Sequence, residues 1–173
     1  MSGNIDGTVR AMARVFDAEG RPKGGEFALG EGCGKEALPV LASVDGGFVA
    51  SWARTGENAG VYARSFDALG APQGAEKLLV ADAIEPSLDS DGQGRLALAW
   101  MGLDCSDDYR VYAQRLDDSL ELVGAAWRAP EVAEGSYVNA ASVAMGANGR
   151  YVVAYTRHEP LELSGDLGKP APQ

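Results

Sequence analysis

The chain has 173 residues, 25 of them acidic and 15 basic, with a formal net charge of −10. That length fits one domain with a core of its own, needing neither a metal nor a disulfide framework. The charge disfavours nucleic acid and anionic membrane surfaces as partners, and no apolar run is long enough for membrane insertion.

Residues 1–7 are polar, lack an apolar stretch and do not read as a signal peptide. Residues 12–17, Met-Ala-Arg-Val-Phe-Asp, predict a strand with Met12, Arg14 and Phe16 on one face. A Gly- and Pro-containing turn, Ala18–Gly24, leads to a short return strand around Glu26–Leu29. Residues 30–38 read as a loop. Val40–Val44, the turn Asp45-Gly46-Gly47 and Phe48–Trp52 predict a second kind of hairpin, because Asp-Gly between apolar runs is a strong turn signal.

The first hairpin then recurs. Residues 62–67 read Tyr-Ala-Arg-Ser-Phe-Asp and are followed by the turn Ala68–Gly74 and a return strand over Glu76–Val80. The second kind recurs around Asp91-Gly-Gln-Gly94 and ends at Trp100. Residues 112–117 repeat the first kind once more, although Asp118–Gly124 lacks the earlier Pro and the first Gly. Residues 129–139 read as a loop. The turn Gly146-Ala-Asn-Gly149 closes a last hairpin at Tyr155, and residues 158–173 read as a polar tail. Asp17, Asp67 and Asp117 keep a spacing of 50, and Trp52, Trp100 and Tyr155 occupy one position of the other unit.

A period of this size marks a repeat architecture. Six hairpins give about twelve strands and no helix. The expectation is an all-β domain over residues 1–157, with three repeats of a four-stranded antiparallel sheet arranged as in a β-propeller. The whole sheets span Leu38–Val80 and Glu85–Arg128. The third combines Val9–Leu29 with Ala140–Arg157, either within one chain or across a homodimer of six sheets. A β-trefoil is the alternative arrangement.

Asp45–Trp52 followed by Gly60–Glu76 resembles the tandem repeat of large secreted bacterial proteins of the haemolysin-type calcium-binding class. The resemblance extends over residues 9–157 and is strongest at 43–76. It implies a propeller-like fold, an extracellular or cell-surface location and an adhesion context. Without a signal peptide, the residues themselves leave the cytoplasm open. The calcium-binding nonapeptides of that class are absent, so calcium binding does not carry over.

For sites, Asp89 and Asp91 flank a serine ahead of glycine and suit a hard cation such as Ca2+, although an ordinary turn explains them too. No other cofactor is implied. Trp52, Trp100 and Tyr155 suit core packing between sheets, or stacking on a sugar. Arg14 and Arg64 share a position that bridges strands or snorkels. His158 is the single histidine and has no nucleophile motif beside it. The functional expectation is a non-catalytic binding or adhesion module whose partner is a glycan or a surface protein. A purely structural repeat and a glycosidase-like enzyme are the alternatives.

Cys33 and Cys105 fall in connections expected at the same end of the sheets, where a disulfide is geometrically allowed. Such a bridge closes a long loop and stabilises by about 4 kcal/mol in the chain-entropy model. It also favours an exported protein. Thiol titration of the protein unfolded without reductant is expected to find no free thiol. Two free thiols per chain, the alternative in which the cysteines lie on opposite sides of that face, exclude the bridge.

Overall fold

The structure, a computed structural model, describes residues 9–31, 35–103, 108–130 and 136–159, with only the backbone of Lys35. Twelve strands run in order: β1 (Met12–Phe16), β2 (Pro22–Ala28), β3 (Lys35–Val44), β4 (Gly47–Thr55), β5 (Gly60–Asp67), β6 (Lys77–Ala81), β7 (Ala83–Ser90), β8 (Leu96–Leu103), β9 (Tyr109–Leu116), β10 (Leu122–Arg128), β11 (Tyr137–Met145) and β12 (Tyr151–His158). All pairings between them are antiparallel.

They form four sheets. β3-β4-β5-β6 and β7-β8-β9-β10 are four-stranded meanders, while β1-β2 and β11-β12 remain two-stranded. Within one chain, the expected third sheet therefore does not form among the described residues. β1 pairs only with β2, and β12 only with β11, among the described residues. Nor do the hairpins assemble into a closed barrel, so the β-trefoil alternative falls as well. The physical reason lies in the stacking. Each sheet packs on its sequence neighbour, and this carries the two hairpins to opposite ends of an open stack.

Side-chain alternation drives that stacking. On β5, Val61 and Ala63 point toward the β7–β10 sheet and join its Leu88, Leu96, Leu98, Trp100 and Leu116 in one core cluster. Tyr62 and Phe66 point the other way and pack with Trp52 against Ala11, Leu29 and Phe27 of the first hairpin. The small-residue face of one sheet thus receives the large-residue face of the next. Ala97, Ala99 and Ala113 repeat the arrangement against Val143 and Val153 of the last hairpin.

A repeated hydrogen-bond scheme fixes the turns. The Oδ1 of Asp17 accepts from the N–H groups of Glu19 and Arg21. Asp67 does the same with Leu69 and Ala71, and Asp117 with Ser119 and Glu121. These are Asx turns, in which a short carboxylate satisfies the backbone of the reversal. The shared position of Arg14 and Arg64 is explained too. Arg14 donates to the carbonyl of Gly24 and Arg64 to that of Gly74, while Gln114 donates to Gly124. The three acceptors are again spaced by 50.

Three details differ from the sequence reading. β3 begins at Lys35 and β11 at Tyr137, inside segments expected to be loops. His158 belongs to β12 rather than to a tail, and its ring stacks on Tyr137 at 4.1 Å between centroids. Each first strand also carries a bulge with a left-handed residue, at Leu38 (φ 55°), Glu85 (φ 51°) and Ala140 (φ 53°). The side chains differ at this position, so the repeat is visible only in the backbone.

Buried charge fastens the first hairpin to its sheet. Arg54 on β4 reaches Glu36 at 2.9 Å and Glu76 at 2.9 Å, with its guanidinium 4.0 Å from the centre of the Tyr62 ring. The other Glu36 oxygen accepts from the N–H of Ala11 at 3.2 Å. Burial works against the charge on Arg54, but the hydrogen bonds to Glu36 and Glu76 outweigh it and hold its pKa above the ordinary value. A buried carboxylate such as Glu36 is tolerable only with partners of this kind.

Leu120 occupies the left-handed position that Gly20 and Gly70 fill in the other two copies, with φ of 59° against 77° and 87°. A left-handed leucine costs about 1–2 kcal/mol. Its side chain is buried in the cluster between the two large sheets, and losing such a side chain costs about 2–5 kcal/mol. Packing wins. Leu120→Gly is expected to lower unfolding stability by about 2 kcal/mol in urea titration. Unchanged or higher stability would show that the turn geometry dominates.

Candidate functional site

The three repeated aromatics occupy equivalent places, each facing the preceding sheet. Trp52 is fully buried and stacks on Tyr62 at 6.4 Å; Trp100 is nearly so and stacks on Tyr112 at 5.7 Å. Tyr155 is half-buried and packs with Val153 in the cluster of Met101, Val111 and Val138. Trp52 and Trp100 have no ring face left for a sugar. Of the two roles the sequence offered for Trp52 and Trp100, core packing is the one they take, because sheets with apolar residues on both faces consume them.

Asp89 and Asp91 are committed elsewhere too. Asp89 Oδ1 accepts from the N–H of Ser90, and Oδ2 accepts from the N–H of Met145 at 2.7 Å. Ser87, two residues earlier on β7, accepts from the N–H of Val143 at 3.0 Å. β7 thereby satisfies the inner edge of β11 with side chains. Asp91 Oδ1 accepts from the N–H groups of Gln93 and Arg95, and Oδ2 from the guanidinium of Arg95. The expected cation pair is corrected to a strand fastening and an Asx turn. No group of three or more potential metal ligands occurs among the described residues. Cys33 and Cys105 lie outside the described residues.

The structure instead gathers a site that the sequence did not announce. A cleft of about 680 Å3 opens between the turn ends of the two large sheets. Such a volume lies within the range that holds small ligands. Val44, Val49 and Leu96 form its apolar floor, and Asp45, Asp67, Gln73, Gln93 and Asp118 stand around it. No basic side chain lines it.

The rim groups come from four turns, Asp67 and Gln73 sharing the one between β5 and β6. Asp45 sits in the β3–β4 turn, Gln93 in the β7–β8 turn and Asp118 in the β9–β10 turn. Asp67 is fixed by its Asx bonds to Leu69 and Ala71. Asp45 and Gln93 are exposed, and their side chains have no hydrogen-bond partner among the described residues. The cleft therefore offers carboxylate acceptors and an amide over an apolar base. That set suits a ligand rich in hydroxyl or ammonium donors. In the sequence, the rim shows only as the Asp45-Gly46 turn and the residues beside the other turns.

Comparison with known proteins adds little. No family model and no curated protein matches the chain. Among solved structures, an endo-arabinase from Bacteroides thetaiotaomicron VPI-5482 is similar, with a TM-score of 0.49 and 17% identity. The match covers 76% of this chain and 57% of that one, so the chain spans less than two thirds of the other's length. A likeness at this level says nothing of ligand or activity.

The Asp91 carboxylate carries a pH signature. Burial acts to raise its pKa, but the N–H of Gln93 and the two contacts from Arg95 prevail and hold it below the ordinary value. A carboxylate depressed in the folded state stabilises above its unfolded pKa and loses that contribution as pH falls through the folded pKa. Asp91→Asn is expected to be less stable than the parent by a constant margin above about pH 5, shrinking below about pH 4. Denaturation at a series of pH values checks this. A margin independent of pH would remove Asp91 from the acid response.

Proposed function

We propose that the stacked sheets form an open arc of a β-propeller and that the chain is a non-catalytic binding module for a hydroxyl-rich glycan. One observation carries this reading: the acidic, amide-rimmed cleft over an apolar floor between the two complete sheets. Sugar hydroxyls donate to carboxylates, and the less polar face of a sugar ring covers apolar carbon. Propeller-like loops from neighbouring sheets commonly converge on a site of this sort, with a rigid scaffold behind mobile specificity. The resemblance of residues 43–76 to the repeats of secreted bacterial proteins is consistent with a place at or beyond the cell surface.

Three carboxylates on one cleft also raise the hydrolase alternative. A general acid must keep its proton near neutrality, which takes an apolar enclosure. Asp45 and Asp118 stand in water at the rim, and Asp67 is bound into its turn. Binding without turnover is the better-supported reading.

Glycan-array screening of the full chain, with product analysis on each glycan bound, tests this. The expected outcome is recognition of neutral or amino-bearing glycans with no cleavage. Asp45→Ala with Asp118→Ala is expected to weaken binding at least about tenfold, since each charged hydrogen bond contributes roughly 1.5–3 kcal/mol. Cleavage of a bound glycan, or binding unaffected by the double variant, would overturn it.

A further inference from the structure

The two hairpins at the ends of the stack are complementary halves of one sheet. β11-β12 corresponds to the first two strands of a complete sheet, β3-β4 or β7-β8. β1-β2 corresponds to the last two, β5-β6 or β9-β10. In both complete sheets the second and third strands pair in one register. Trp52 lies opposite Tyr62 and Phe48 opposite Phe66. Trp100 lies opposite Tyr112 and Leu96 opposite Leu116. Carried over by the repeat, this register sets Tyr155 opposite Met12 and Tyr151 opposite Phe16.

Exposure follows the same logic. Phe16 is 56% exposed, whereas its equivalents Phe66 and Leu116 are each 2% exposed. Met12 is 46% exposed against 6% for Tyr62. Val152 of β12 and Val123 and Trp127 of β10 are exposed as well. The first hairpin lacks what every other large-residue face has, namely the small-residue face of a preceding sheet. On β7–β10, Val111 and Ala113 of β9 are covered by the last hairpin, but β10 lacks a following sheet.

We propose that a second copy of this chain supplies both. β12 of each protomer pairs with β1 of the other, completing two four-stranded sheets, β11-β12-β1-β2, and closing a ring. The pairing continues an interface already present twice in each chain, β4 with β5 and β8 with β9. The large face of the partner's first hairpin then covers the exposed Val123 and Trp127 of β10, extending the cluster that holds Met101, Val111 and Tyr155. The number of sheets selects the stoichiometry. One chain holds three sheet equivalents, and propellers run from four to eight. Two copies give six, while three give nine. Such a head-to-tail contact closes on itself when the rotation fits. This assembly rests on the propeller-arc part of the reading above and not on its ligand.

Light scattering of the full chain is expected to give twice the chain mass of 18.0 kDa. In a chain carrying Cys33→Ser and Cys105→Ser, the pair Phe16→Cys and Tyr151→Cys is expected to form a covalent dimer on mild oxidation. The shifted pair Phe16→Cys and Val153→Cys is expected to cross-link at least about tenfold less. Phe16→Asp is expected to yield a folded monomer by circular dichroism. A monomer at all concentrations, a cross-link within one chain, or equal cross-linking of the shifted pair overturns the proposal. Glycan binding measured on the same samples separates this failure from failure of the ligand reading.

Discussion

A sheet with apolar residues on both faces must be covered on both. Most of this structure follows from that constraint. In the β3–β6 sheet, Val49, Val61 and Ala63 serve one neighbour while Trp52, Tyr62 and Phe66 serve the other. At about 25 cal/mol per Å2 of apolar surface buried, each such face outweighs any single polar contact in the fold. A stack propagates until both ends are closed, and among the described residues the ends are the two hairpins. The same burial that assembles the sheets also removes Trp52 and Trp100 from any ligand role.

Polar groups act on this scaffold as fasteners. The Asx turns at Asp17, Asp67 and Asp117 hold the reversals. Asp89 and Ser87 hold the inner edge of β11, whose N–H groups would otherwise face β7 unpaired. Arg54, between Glu36 and Glu76, joins the first hairpin to its sheet at the end away from the cleft. The buried ion network lies at one end, and at the turn end the structural bonds fall to Asp67 and Asp117. Asp45 and Gln93 remain available there.

The cleft is therefore a consequence of stacking rather than of any local motif. Its floor comes from β3, β4 and β8, and its rim from turns on two different sheets. Sheets packed about 10 Å apart and twisted relative to one another diverge at their ends. Short polar turns cannot fill the gap, so an apolar base is left open between acidic rims.

The sequence by itself determined the strands, the turns and the faces. The spacing of Asp17, Asp67 and Asp117 located the reversals because an Asx turn is a local structure. Alternation along residues 61–66 identified two buried faces because side chains on a strand alternate with period two. Tertiary structure decided the rest. Leu38, Glu85 and Ala140 share a left-handed bulge with no common side chain, since the bulge is imposed by pairing with the next strand. Asp89 read as a cation ligand because its acceptor duty lies on β11, more than fifty residues away. The failure of Val9–Leu29 to meet Ala140–Arg157 was equally hidden. Pairing register is a property of two strands, but whether their edges ever meet depends on how far the intervening sheets carry them apart.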